Sequence, residues 1–252
     1  MKLAHLILII AIFAAVFSTT VNGDEIRVAA ASNSRGVLAE LTTRFEAESG
    51  HELVLIFGST GKHYAQIING APFDVFLAAD TERPRKLEEA GHIAGGTRFT
   101  WAVGRLALWS DDASLLDGED DVLKKGQFRH LAIANPRLAP YGRAAKEALE
   151  NLGHWDKLQP QLVMGENVGQ AYQFVKSGNA ELGLVAWSQI KQGNKPLTGS
   201  WWLVPESLHA PINQQAAQLR PGSAANAFLT FLRGEKAVEI LSAHGYGVPD
   251  DL

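Results

Sequence analysis

Residues 26–79 read IRVAAASNSRGVLAELTTRFEAESGHELVLIFGSTGKHYAQIINGAPFDVFLAA. Three short apolar runs, Ile26–Ala31, Leu53–Phe57 and Val75–Ala79, are separated by two stretches with helical spacing. Val37, Leu38, Leu41 and Phe45 mark the first helix, which Gly50 ends; Tyr64, Ile67 and Ile68 mark the second, closed by Asn69-Gly-Ala-Pro72. This rhythm predicts an α/β domain with mainly parallel strands, since a crossover helix must return the chain between parallel neighbours.

The pattern recurs further along. Leu131–Ala134, Gln161–Met164 and Leu182–Trp187 read as strands, with helices at Ala144–Leu152 and Val168–Val175 between them. Two longer extended runs, Thr100–Trp109 and Ala210–Leu219, exceed an ordinary central strand and are expected to cross between two lobes. Helices at Ser223–Leu232 and Glu235–His244 finish the chain. The expectation is a two-lobed α/β protein: lobe I from residues 24–102 and 214–252, lobe II from residues 103–213.

The start of the chain reads as an export signal. Leu6–Phe17 is an apolar run of 12 residues after Lys2, followed by small and polar residues, with Val21 and Gly23 suitably placed before a cleavage point at Asp24. The run falls short of the ~20 residues that span a bilayer. Residues 1–23 are therefore expected to be a signal peptide, and the remainder a periplasmic protein.

Composition narrows the function. The 252 residues carry 23 Lys and Arg against 27 Asp and Glu, a net charge of −4, and loss of the signal removes only Lys2. A nucleic-acid partner is not expected from an acidic chain. With no Cys, disulfides, thiolate nucleophiles, iron–sulfur clusters and Cys-based zinc sites are excluded.

Four places share one local grammar, in which a strand is followed by a small polar or Gly-containing turn and then by a helix. They are Ser32-Asn33-Ser34, Gly58-Ser59-Thr60-Gly61, Pro140-Tyr141-Gly142 and Glu166-Asn167-Val168-Gly169. A helix N-terminus leaves about four backbone N–H groups without intrahelical partners and carries about half a positive charge. Several such termini aimed at one cleft make an anion site without Lys or Arg. Taken singly, each turn is an ordinary helix cap. Two in each half of an α/β chain, at the carboxyl ends of strands, are where ligands sit in this class.

Further stretches carry a resemblance. Ala29-Ala-Ala-Ser32-Asn33, Phe57-Gly-Ser-Thr-Gly61, Asn69-Gly-Ala-Pro-Phe-Asp-Val-Phe-Leu-Ala-Ala-Asp80, Asn135-Pro136 with Ala139-Pro-Tyr-Gly142, Ala148-Leu-Glu-Asn-Leu-Gly153 and Glu166-Asn-Val-Gly-Gln-Ala171 resemble the periplasmic molybdate-binding proteins of ABC transporters. The markers keep the family's order over essentially the whole mature chain. The resemblance implies the type II periplasmic binding protein fold, with MoO₄²⁻ or WO₄²⁻ held between the lobes. It implies ligand contacts at Ser32 and Asn33, at Thr60 with Ser59 as the alternative, at Tyr141 and at Val168. Molybdenum would be bound only within its oxyanion, with no direct protein–metal ligand and no further cofactor. A membrane permease would be the partner, and a monomer is expected. The sequence departs from one branch of the family, which places a tyrosine hydroxyl where Ala186 stands.

Neutral donors suit this ligand. Molybdate is fully deprotonated at periplasmic pH and accepts from every donor, whereas phosphate keeps a proton that needs a carboxylate acceptor. Sulfate differs from molybdate mainly in radius, so cavity size must separate them.

Other readings are weaker. Around Gly61-Lys62 a P-loop would need Gly where Ile56 stands and Ser or Thr where His63 stands. No Gly-x-Ser-x-Gly elbow occurs, and His51, His63, His92, His130, His154, His209 and His244 form no metal-binding spacing. No enzymatic activity is expected. A receptor for sulfate or for a small organic acid is the alternative, with Arg35 and Arg143 as carboxylate partners if they turn inward.

Overall fold

The computed structural model describes residues 23–249, so all but the last residue of the expected signal peptide lies outside the described residues. β1 (Glu25–Ala31) leads through a 3-10 turn (Ser32–Ser34) to α1 (Arg35–Ser49), then β2 (Glu52–Gly58), α2 (Thr60–Ile68), β3 (Val75–Ala78), α3 (Glu82–Glu89) and β4 (Phe99–Gly104). The chain continues with β5 (Leu106–Ser110), α4 (Asp121–Lys125), β6 (Leu131–Ala134), α5 (Pro140–Asn151), α6 (Trp155–Leu158), β7 (Leu162–Gly165), α7 (Val168–Lys176), β8 (Leu182–Ala186), α8 (Trp187–Ile190) and β9 (Ser200–Leu203). β10 (Ile212–Gln218), α9 (Ser223–Leu232) and α10 (Glu235–Ala243) complete it.

The strands form two five-stranded sheets, ordered β2-β1-β3-β10-β4 and β7-β6-β8-β5-β9. In the first sheet β1 pairs in parallel with β2 and β3, while β10 runs antiparallel to β3 and β4. In the second, β6 is parallel to β7 and β8, while β5 is antiparallel to β8 and β9. The pairing is thus evenly mixed rather than mainly parallel. The α-helical crossovers supply the parallel half, and the strands next to the lobe junction supply the antiparallel half.

Alternation along the strands explains the layering. Val28 and Ala30 of β1, with Val75 and Leu77 of β3, pack on α1, α9 and α10 through Leu38, Leu41, Phe228 and Leu241. Ala29, Phe76 and Ala78 face the other way, onto Ile67 of α2 and Leu87 of α3. A sheet covered on both faces buries every residue of a central strand, which is why β3 reads as an unbroken apolar run. Ile68 was expected on the packed side of α2 but is exposed; the buried side is set by Thr60, His63 and Ile67.

The extended run Thr100–Trp109 is not one strand. It breaks at Arg105, where the chain leaves the first sheet as β4 and joins the second as β5. The return passes from β9 to β10, which lies wholly in the first sheet. Gly104 marks the first crossing because a Cβ there would lie 2.2 Å from the Tyr141 hydroxyl. Among the described residues no helix is long and apolar enough to cross a membrane.

Candidate functional site

The first turn follows β1. Ser34 Oγ donates to the Ala31 carbonyl at 2.7 Å, and the Arg35 N–H closes onto the Ser32 carbonyl. Ser32 and Asn33 are buried, and no partner for either backbone N–H occurs among the described residues. Ser32 Oγ accepts the Gly169 N–H of the other lobe at 3.1 Å, so its own proton remains for a ligand.

Asn33 is fixed from several sides. Its Nδ2 donates to Gln214 Oε1 and to the Tyr246 hydroxyl, both at 3.0 Å. Its carbonyl accepts from Ser188 Oγ of α8 and from the Tyr246 hydroxyl, each at 3.2 Å. Both side-chain N–H bonds are spent, and Oδ1 is buried without a partner among the described residues. The donor left to Asn33 is its backbone N–H.

The second turn follows β2. Ser59 is the N-cap of α2, its hydroxyl accepting the Lys62 N–H at 3.3 Å. The neighbouring Thr60 hydroxyl sits against the Ala79 N–H at the end of β3, at 3.0 Å. The Thr60 N–H has no partner among the described residues. Gly61 donates to the Leu138 carbonyl of the other lobe at 2.9 Å, and a Cβ on Gly61 would lie 2.8 Å from that oxygen.

The third and fourth turns belong to the second sheet. α5 opens with Pro140, which has no N–H to leave unpaired, and Arg143 bonds back to the Ala139 carbonyl. The Tyr141 and Gly142 N–H groups are left open. A Cβ at Gly142 would come within 2.3 Å of the Ala134 carbonyl, so only glycine allows α5 to start this close to β6. Asn167 caps α7 by accepting the Gln170 N–H at 3.1 Å, which leaves the Val168 N–H open.

The fold brings the four turns together in pairs. Ser32 meets Gly169, Gly61 meets Leu138, and Asn33 reaches Tyr141 through Gln214. No Asp, Glu, Lys or Arg side chain among the described residues bonds to Ser32, Asn33, Thr60, Tyr141 or Val168. Burial keeps the two phenols of this region neutral: it raises Tyr141 well above the usual tyrosine range and pushes Tyr246 up to about 12. Among the described residues no group of three or more His, Asp or Glu could hold a metal ion. The arrangement can therefore bind an anion through N–H and O–H dipoles alone.

Charged side chains close around the turns instead. Lys62 Nζ meets Glu166 at 3.1 Å, and Arg143 meets Glu82 at 3.1 Å, each across the lobes. Asp80 accepts the Arg83 N–H in the first turn of α3 and pairs with the Arg83 guanidinium, which also donates to the Arg137 carbonyl. Arg35 lies over the Phe57 ring, 4.1 Å from its centroid. Arg143 is thus engaged by Glu82, whereas Arg35 has no ion-pair partner among the described residues.

Sequence reasoning missed Gln214, Ser188 and Tyr246. A signal existed at Gln214, since Asn213-Gln-Gln215 is a polar triplet inside an apolar extended run, and Gln214 is fully buried.

Known proteins share this framework. Residues 26–247 match the family described as bacterial extracellular solute-binding protein. The molybdate-binding protein ModA of Azotobacter vinelandii is 45% identical over 244 residues, covering 96% of this chain and 97% of the relative. Its counterpart in Rhodobacter capsulatus is 44% identical over 227 residues, or 88% of each chain. The solved periplasmic molybdate-binding protein of Azotobacter vinelandii superposes with a TM-score of 0.86 at 43% identity, covering 89% of this chain and all of that one. With the fold, the order of the turns and this identity in agreement, the chain belongs to the bacterial extracellular solute-binding proteins, in the family of the molybdate-binding protein ModA.

Proposed function

We propose that this protein captures molybdate, and tungstate of nearly the same size, in the periplasm and delivers it to the permease of an ABC transporter. One observation carries the reading. Open backbone N–H groups at Ser32, Asn33, Thr60, Tyr141 and Val168 lie on turns of both lobes that the Ser32–Gly169, Gly61–Leu138 and Asn33–Gln214–Tyr141 bonds tie together, and no Asp, Glu, Lys or Arg side chain among the described residues bonds to these five. Ser32 adds its hydroxyl, and the second turn adds that of Thr60 or Ser59. Such a set rewards an anion that accepts at every oxygen and rejects one that must donate. Closure of the lobes excludes water, and hydrogen bonds to a charged acceptor strengthen in the drier site.

The protein acts as a receptor without catalysis, as a monomer freed of residues 1–23, and takes no cofactor besides its cargo. Titration calorimetry of residues 24–252 with molybdate, tungstate, sulfate and phosphate tests the reading. Tight binding of the first two with weak or absent heats for the others is expected. Equal weak heats for all four would remove it. A preference for sulfate would favour the alternative receptor.

A further inference from the structure

Gln214 lies behind the four turns, fully buried on β10, where the first sheet's ladder shifts register between Gln214 and Gln215. It is the sole link by which the Asn33 side chain reaches the Tyr141 hydroxyl among the described residues. Its Oε1 accepts from Asn33 Nδ2 at 3.0 Å, and its Nε2 donates to the Tyr141 hydroxyl at 3.2 Å. Asn33 belongs to the first lobe and Tyr141 to the second, so one amide bonds to side chains of two anion-donor residues from opposite lobes. Gly104 leaves the space in which they meet, since a Cβ there would lie 2.2 Å from the Tyr141 hydroxyl and 2.8 Å from Gln214 Nε2.

A buried amide is costly in an apolar sheet unless every bond it makes is kept. An apolar side chain of the same volume would fill the place, but it would leave Asn33 Nδ2 with one partner and the Tyr141 hydroxyl with none. What the amide adds is a fixed separation. With the two side chains tied to one group of defined length, the backbone N–H groups of Asn33 and Tyr141 hold a set spacing in the closed protein. A cage of neutral donors tells oxyanions of equal charge apart by that spacing.

The geometry points to Gln214 as a positioning residue that sets the width of the oxyanion cage and so discriminates molybdate from the smaller sulfate. It touches no ligand itself and acts through Asn33 and Tyr141. The inference rests on the oxyanion reading above.

The test uses the mature chain and titrates sodium molybdate and sodium sulfate into wild type, Gln214→Met, Tyr141→Phe and the double variant. Tyr141→Phe keeps the backbone donor and removes only the hydroxyl. Gln214→Met is expected to lose ten-fold or more in molybdate affinity while its sulfate affinity falls less, so that the ratio between the two anions narrows. The double variant is expected to bind no worse than Gln214→Met alone, because both changes cut one path. A ratio unchanged within two-fold in Gln214→Met, even with a lowered Tm, would reduce the residue to a structural part and overturn the inference. Losses that simply add in the double variant would overturn it too. If Gln214→Met does not fold, Tyr141→Phe decides: a narrowed ratio supports the inference, and an unchanged one sinks it. Failure of wild type to bind molybdate would sink the underlying reading instead, so the two failures are distinguishable.

Discussion

The N–H of Gly169, at the start of α7, donates to the Ser32 hydroxyl oxygen across 3.1 Å, joining residues 137 apart in sequence and in different lobes. A Cβ on Gly169 would lie 3.2 Å from the Ser32 Cβ and 3.4 Å from its oxygen. The contact thus uses the hydroxyl on one side, and a side chain on the other would require Ser32 to give way by a few tenths of an ångström. Ser32→Ala removes an anion donor and the acceptor for Gly169 together. Hydrogen bonds to charged groups are worth about 1.5–3 kcal/mol, so molybdate affinity is expected to fall by roughly 10–100-fold. Gly169→Ala keeps every donor but crowds the closing surface. It is expected to weaken binding chiefly by faster release, read by stopped-flow tryptophan fluorescence. An unchanged release rate would show that the lobes close without this contact.

Ser59 and Thr60 stand side by side with hydroxyls in different surroundings, and two substitutions separate them. Ser59→Ala removes the cap of α2, at about 1 kcal/mol of stability, together with the hydroxyl at the mouth of the helix. Thr60→Val keeps the volume but strands the Ala79 N–H, which costs about 1–3 kcal/mol for an unpaired buried donor. Ser59→Ala is expected to reduce molybdate affinity by about ten-fold. Thr60→Val is expected to lower Tm with a smaller change in affinity, because its backbone N–H stays in place. Calorimetry and thermal melts read both quantities, and the reverse pattern would assign the ligand hydroxyl to Thr60.

Much of the architecture was legible because each level of the sequence agreed with the next. Ser223–Leu232 and Leu131–Ala134 read as they fold, since an amphipathic helix and a buried strand announce themselves by spacing. α3 passed unread because Glu82-Arg-Pro-Arg-Lys-Leu-Glu-Glu89 buries only Pro84 and Leu87 and has no apolar stripe. The break at Arg105 was hidden because both strands around it are apolar, and a change of sheet leaves no mark on composition. The turns themselves were readable as helix starts. Their supporting bonds were not, since Gln214 joins Asn33 and Tyr141 across 181 and 73 residues and no local pattern encodes such a meeting.

The ion pairs around the turns predict a kinetic effect. Lys62 and Glu166 meet across the lobes with side chains 51% and 34% exposed. Such a pair is worth about 0.2–1 kcal/mol and is screened by salt. Lys62→Met is expected to speed molybdate release by no more than about five-fold. The larger consequence is that Glu166, two residues before Val168, would keep its carboxylate without a partner beside an anion site. Lys62→Met with Glu166→Gln should therefore recover part of the affinity lost by Lys62→Met alone. No recovery would mean that Glu166 is too well solvated for its charge to reach the ligand.

Stability in mild acid should depend on His63. The ring is buried under β1, with Nε2 3.2 Å from the Ala30 carbonyl and Nδ1 3.1 Å from Gln66 Oε1, and it packs edge-on against Phe73. Burial lowers its pKa below the ordinary 6.5, with the nearby Lys62 charge adding to the effect, while the contacts with Gln66, Ala30 and Glu166 only partly oppose it. The unfolded chain takes up a proton as pH falls through 6.5, but the folded chain does not until lower pH. Unfolding therefore binds protons in that window, and stability falls as pH falls from 6.5 toward the depressed folded value. His63→Gln removes the titrating group while keeping a polar side chain near Ala30. Its urea midpoint is expected to be lower than wild type at pH 7.5 and to change less between pH 6.5 and 5. A wild-type midpoint that holds steady over that interval, or a variant that follows the wild-type slope, would place the acid sensitivity elsewhere.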